Sequence, residues 1–141
     1  MKALTVAQPY ASLIAANRKS VETRSWQTSY RGPLAIHAAK TAPASLTREV
    51  AKASEDLILV RGAIVCVAQL VAITIAGQPD LAGELYEPEP REGILGDFTP
   101  GRYLWHLSEV EPVVPAIVCP GQRNLWDVSA SDLDRLLGAA L

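Results

Sequence analysis

Apolar and polar residues alternate with a period of two along several segments of the chain, and this alternation is typical of β-strands with one buried face. A near-continuous apolar run at residues 62–75 instead predicts a buried central strand. The predicted strands cover residues 2–7, 19–26, 34–39, 62–75, 102–110 and 113–118. The chain is therefore expected to be rich in β-structure.

Three segments carry a helical spacing instead. Residues 9–17 begin with a proline, which suits the first turn of a helix, and place their apolar side chains on one stripe. Residues 42–56 predict a second helix, with Ser45 or Thr47 as its N-cap. A capping box that begins at Ser129 predicts a terminal helix.

The order of these elements selects a fold class. It runs strand, helix, several strands, long loop, strands and terminal helix, without the regular βαβ alternation of a doubly wound parallel sheet. We expect a mainly β fold with peripheral helices, a small mixed or antiparallel β-barrel. The 141 residues, 49% of them hydrophobic, predict a single domain over residues 1–141. Residues 78–101, rich in proline, glycine and acidic residues, are expected to form a long loop.

Charge is distributed unevenly along the chain. The net charge of −2 argues against strong non-specific binding to DNA. Residues 17–48 nevertheless hold six basic residues and Glu22 as their one acidic residue, whereas residues 78–100 hold six acidic residues and Arg91 as their one basic residue. A local basic field attracts an anionic ligand even when the net charge is negative. An ordinary solvated surface is the alternative interpretation.

Several classes of protein are disfavoured by composition. No apolar run approaches the roughly 20 residues of a membrane span, and the N-terminus does not resemble a secretory signal, so we expect a cytoplasmic protein. Cys66 and Cys119 lie far apart and fit no metal spacing. They are expected to be buried, unpaired thiols, and we predict neither a metal nor a cofactor.

A candidate binding site follows from the strand at residues 19–26. Glu22, Arg24 and Trp26 stand at positions i, i+2 and i+4 and therefore share one strand face. Arginine binds phosphate or carboxylate bidentately, tryptophan offers a stacking platform for a base, and a carboxylate accepts from an exocyclic amine. The alternative is a surface Glu–Arg pair beside a tryptophan that covers the end of the barrel.

Four further residues complete the predicted ligand-binding set. Lys19, at the end of the first helix, is expected to swing toward the same site as a point charge, and Tyr10 lies on that helix. His37 faces away from its apolar strand neighbours toward the cleft, and Lys40 follows as a phosphate contact. A buried structural histidine and a solvated lysine are the alternatives.

Several segments, in order, resemble the ASCH family (activating signal cointegrator homology), whose motif is G-x-K-x-x-E-x-R. Residues 17–24 match this motif at Lys19, Glu22 and Arg24, with Asn17 in place of the motif glycine. The other matching segments are residues 8–11, 31–38, 96–105 and 120–126. The resemblance implies a PUA-like β-barrel with a cleft beside its first helix, and a role in RNA binding.

Three function classes remain open. The leading hypothesis is a binding module for RNA or a modified nucleotide, with a basic cleft. The alternative is an enzyme acting on nucleosides or nucleic acid, an amidohydrolase or a ribonuclease, in which Lys19 and Glu22 form the acid–base pair. The resemblance implies this alternative because some short ASCH members hydrolyse N4-acetylcytidine with a threonine nucleophile, whose position Glu22 occupies here. A third class is a protein that binds a partner through its acidic loop.

Overall fold

A six-stranded mixed sheet, curled into a half-barrel, carries the fold. The computed structural model describes residues 1–42 and 45–139. The strands are β1 (Lys2–Val6), β2 (Val21–Arg24), β3 (Gly32–Ala38), β4 (Ala63–Ile75), β5 (Tyr103–Val118) and β6 (Leu125–Asp127). The helices are α1 (Tyr10–Ala15), α2 (Arg48–Ser54), α3 (Pro90–Gly93) and α4 (Ala130–Ala139). This confirms the predicted mainly β class with peripheral helices.

The strand order across the sheet is β2-β5-β4-β3-β1-β6. The β1–β3 pair is parallel and every other pair is antiparallel. Because β6 pairs only with residues 2–4 of β1, it leaves the last two residues of β1 without a neighbour on that side. The curl of the sheet brings β2, from its opposite end, toward this free edge of β1, where a β2 side chain bonds to the β1 backbone.

The core lies on both faces of the sheet. One cluster packs α1 against β1, β3, β4 and β5 and includes Leu34 and Ile36. A second cluster fills the other face under α4 and is centred on Ile64 and Trp126. Val67 is only half-buried at the margin of this second cluster.

The two strands predicted at residues 102–110 and 113–118 are one continuous strand, β5. Pro112 and Pro115 cannot donate to a ladder, and in the sequence they look like a break between strands. The strand continues past them because it bends: Glu109 adopts a positive φ of 49°, and the pairing with β4 changes register at three places. The short strand β6 was not predicted.

The helices are shorter than predicted. The first helix covers Tyr10–Ala15, and Asn17 beyond it adopts the left-handed conformation, with φ of 60°. The second helix starts at Arg48 rather than at residue 42, since the Thr47 hydroxyl caps it by accepting from the backbone N–H of Val50. Residues 43 and 44 of the predicted helix lie outside the described part of the chain. None of the helices described is long and apolar enough to span a membrane.

The acidic loop is anchored to the sheet. It contains α3, and the Glu92 carboxylate accepts from the backbone N–H groups of Ser20 and Val21 at 2.9 and 2.5 Å. Leu95 is buried against Leu13 of α1 and Val50 of α2. The loop therefore forms one wall of the space between α1, α2 and β2.

Candidate functional site

A cleft of about 740 Å³ opens where β2 meets the free edge of β1. We call it the seam cleft. Its lining comprises Thr5, Val6, Ala7, Tyr10, Glu22, Thr23, Arg24, Ser25, Trp26, Thr47, Val50, Ile94, Leu95, Gly96, Asp97 and Arg102. The walls thus come from β1, α1, β2, α2 and the acidic loop.

Strand β2 places Glu22 and Arg24 side by side in this cleft. The period of two puts both side chains on one face, as the sequence predicts. Oε2 of Glu22 accepts from Nε and Nη2 of Arg24 at 3.1 and 2.8 Å, and Nη2 also donates to the carbonyl oxygen of Thr5 at 2.9 Å. The Arg24 guanidinium therefore bridges β2 and β1 and closes the seam of the half-barrel.

Lys19 is fixed beneath the cleft and is 1% exposed. Its Nζ donates to the carbonyl oxygens of Val21 and Leu95 at 2.6 and 2.7 Å and lies 3.7 Å from Oε1 of Glu22. Burial lowers the pKa of the Lys19 ammonium, and the neighbouring Glu22 carboxylate opposes that change. The expectation that Lys19 swings into the site as a mobile point charge is wrong, because Leu95 covers it.

Close contacts hold the loop over Lys19. A Cβ on Gly96 would lie 3.1 Å from the Thr23 methyl group and from the Phe98 ring, and 3.4 Å from Nζ of Lys19. The backbone N–H of Asp97 donates to the Thr23 hydroxyl at 3.0 Å. The acidic loop thus packs so closely against β2 that little room is left for a side chain at Gly96.

Two aromatic side chains line the seam cleft. Trp26 reaches it from a bend, since β2 ends at Arg24, so the strand alternation we used to place Trp26 does not apply. Its ring packs edge-on against Trp105, with centroids 4.9 Å apart. Tyr10 lies on α1, and burial, with a smaller contribution from the Glu22 carboxylate, raises the pKa of its hydroxyl.

The charges that line the seam cleft balance. Arg24 and Arg102 face Glu22 and Asp97, so the predicted basic cleft is not found at this position. Nε of Arg102 lies 3.6 Å from Oδ2 of Asp97 and is a buried donor without a hydrogen-bond partner in the described chain. Such a lining suits a polar, nearly neutral group better than an isolated anion.

The model of the ASCH domain family matches residues 4–118. The chain belongs to the ASCH domain family. Its structure is similar to the crystal structure of an ASCH protein from Zymomonas mobilis, with a TM-score of 0.55 at 17% identity over 97% of this chain and 93% of that chain. Structures of a tyrosine-to-phenylalanine and a serine-to-alanine mutant of that protein give TM-scores of 0.55 and 0.54 at 17% identity, covering 97% of this chain and 96% and 94% of theirs. No curated protein matches the sequence significantly.

Besides Lys19, two predicted site residues of this ASCH domain lie outside the seam cleft. His37 and Lys40 line a second cavity of about 820 Å³. His37 is 1% exposed, and its Nε2 lies 2.8 Å from the carbonyl oxygen of Cys119. A carbonyl only accepts, so Nε2 carries the proton, and Nδ1 accepts from the Thr5 hydroxyl at 3.3 Å. Our placement of His37 and Lys40 in one cleft with Glu22 is wrong. The His37 side chain packs against Trp126 on the opposite face of the sheet, and Lys40 follows the end of the same strand, β3.

Sequence reasoning missed several residues of the seam cleft. Thr5 contributes a carbonyl oxygen, which every residue possesses, so no side-chain signal could reveal it. Asp97 and Arg102 lie in residues 96–105, one of the segments that carry the family resemblance, and this was an available signal. Within the described residues, no three His, Cys, Asp or Glu side chains gather as a metal site requires.

Proposed function

We propose that this ASCH domain binds RNA or a modified nucleotide, with a planar base held in the seam cleft. The PUA-like fold to which ASCH domains belong is generally linked to RNA binding. One observation carries the proposal: Glu22 lines the cleft, and its Oε1 accepts no hydrogen bond from any described residue, because both bonds from Arg24 go to Oε2 and Lys19 stays 3.7 Å away.

A carboxylate oxygen held in this way is an oriented acceptor. It suits an amine donor such as the exocyclic amine of cytosine. The rings of Tyr10 and Trp26 offer flanking surface against which a base packs, and the Thr23 and Thr47 side chains add polar groups to the same walls. Because the lining charges balance, we expect base contacts rather than phosphate contacts to supply the affinity in this cleft.

The test is a binding titration with a panel of nucleosides, N4-modified cytidines and short single-stranded RNAs. Trp26→Ala should weaken binding by about 1–3 kcal/mol if the ring contacts a base. Glu22→Gln should change the preferred base more than the total affinity, since the amide adds a donor. Tyr86→Ala, at a half-buried aromatic outside the cleft, is the matched control. Unchanged binding in both cleft variants would refute the proposal.

A second candidate is the enzyme alternative, a nucleoside amidohydrolase or a ribonuclease. The observation that favours it is the buried Lys19, whose pKa is lowered by burial and whose Nζ lies 3.7 Å from the Glu22 carboxylate. Here Glu22→Gln would abolish turnover while the ligand remains bound. Incubation with N4-acetylcytidine or RNA, followed by chromatography of the products, distinguishes an enzyme from a binding module.

A further inference from the structure

The second cavity gathers positive charge. Lys40, Arg61 and Arg123 line it, together with polar and apolar groups and no acidic residue. We call it the basic cavity. This concentration is notable in a chain with 15 acidic and 13 basic residues.

The three cations of the basic cavity have no polar partner among residues 1–42 and 45–139. None of their side chains forms a hydrogen bond or an ion pair with a described residue. Two basic residues elsewhere on the surface are paired, Arg18 with Asp56 at 2.8 Å and Lys2 with Asp127 at 3.0 Å. Arg48, Lys52 and Arg91 also form no ion pair with a described residue, so the basic cavity differs in that three such cations line one concavity. Two arginines and a lysine around one concavity suit a phosphate group, which guanidinium groups bind bidentately.

The floor of the basic cavity is a packed polar structure. The indole N–H of Trp126 donates to the Thr5 hydroxyl at 3.1 Å, and this hydroxyl in turn donates to Nδ1 of His37. The backbone of Gly121 lies so close that a Cβ there would meet the His37 ring at 2.6 Å and the Thr5 hydroxyl at 2.8 Å. The cations therefore surround a floor whose geometry is set before any ligand arrives.

The basic cavity adjoins the seam cleft at Thr5. The carbonyl of Thr5 accepts from Arg24 in the seam cleft, whereas its hydroxyl forms part of the floor of the basic cavity. Thr5 thus lines both cavities, and it lies in the part of β1 that β6 leaves unpaired. A ligand that spans Thr5 would reach the lining of both cavities.

We propose that the basic cavity binds a backbone phosphate of the RNA strand whose base occupies the seam cleft. The choice of RNA as the source of the phosphate rests on the proposed function, whereas the preference for a phosphate group follows from the cavity itself. An RNA strand needs two kinds of site, which this molecule keeps apart. Its base needs a cleft in which the lining charges balance, and its backbone needs cations that are not already paired. The seam cleft and the basic cavity provide these two sites, and Thr5 lies between them.

The experiment measures the affinity of a roughly eight-nucleotide single-stranded RNA over a salt series. The test variant is Arg61→Gln/Arg123→Gln, and the control is Lys52→Gln/Arg91→Gln, which removes the same charge at exposed positions outside the cavity. We expect the plot of log affinity against log salt concentration to become shallower by about 1.4 in the test variant, since each lost contact to a single strand removes ~0.7. The control should keep the wild-type slope.

Further measurements distinguish failure of the phosphate site from failure of the function proposed for the seam cleft. A free nucleoside should bind the test variant as it binds wild type. If the nucleoside binds and the RNA slope is equal in both double variants, the phosphate site is refuted while the proposed function stands. If no nucleoside binds but RNA binds with the predicted change in slope, the seam-cleft proposal fails and the basic cavity is supported. Inorganic phosphate that shifts the Gly121 amide resonance, with no such shift on adding RNA, would overturn RNA as the source.

Discussion

Charges in the seam cleft are paired, whereas those in the basic cavity are not. Arg24 holds Glu22 through two hydrogen bonds, and Lys19 satisfies two carbonyl groups beneath them. Arg61 and Arg123, by contrast, are exposed and bond to no described residue. The physical reason is desolvation: a buried charge without a partner is costly, whereas water solvates an exposed one at little cost.

The charges of the two cavities therefore have different effects on stability and on binding. The paired charges of the seam cleft hold β2 to β1, so a substitution there affects stability as well as binding. The cations of the basic cavity contribute no described contact to the fold, so their loss should affect binding alone. The comparison is therefore testable through the free energy of unfolding, independently of any ligand.

The largest effect is expected for Glu22→Ala. Removing the carboxylate leaves the buried Lys19 ammonium and the Arg24 guanidinium without their counter-charge, which should destabilise the domain by about 3–5 kcal/mol. Urea denaturation followed by circular dichroism measures this loss. Arg61→Ala is the control and should change stability by no more than ~0.5 kcal/mol. A loss below ~1 kcal/mol for Glu22→Ala would show that the seam does not depend on this pairing.

A smaller effect is expected for Gly121→Ala, which tests the floor of the basic cavity. The new methyl group would overlap the His37 ring and the Thr5 hydroxyl, and we expect a cost of about 1–3 kcal/mol in thermal unfolding. In Gly138→Ala the new Cβ meets no atom within 4 Å in helix α4, so that control should stabilise the domain by up to ~1 kcal/mol. Equal responses to the two substitutions would contradict a packed floor.

The smallest effect concerns the two thiols. Burial raises the pKa of Cys66 to about 12, so its thiolate fraction at pH 8 is on the order of 10⁻⁴. Cys119 is also buried and has a raised pKa, but it lines the basic cavity. Iodoacetamide should therefore modify Cys119 before Cys66, as followed by peptide mass spectrometry, and saturating short RNA should slow only the Cys119 reaction. Faster modification of Cys66 than of Cys119 would contradict the claim that the basic cavity makes Cys119 the more accessible thiol.

Local pattern predicted much of the fold. Alternation and the apolar run at residues 62–75 identified five of the six strands, although they divided β5 into two. The cap at Ser129, and Thr47 as one of two candidate caps, were predicted because a cap bonds to a backbone group only three residues away. The spacing of Glu22 and Arg24 predicted that they share a face, since a strand alternates regardless of its surroundings.

The sequence by itself determined five of the six strands, the cap at Ser129 and that Glu22 and Arg24 point the same way, because these depend on near neighbours in the chain. Tertiary structure alone decided the rest. Lys19 is buried by Leu95, which lies 76 residues away, and Arg24 finds the Thr5 carbonyl only because the sheet curls. The basic cavity brings together cations from three separate segments, which only the register of the long strands aligns. Such contacts depend on the path of the whole sheet, and no local period encodes that path.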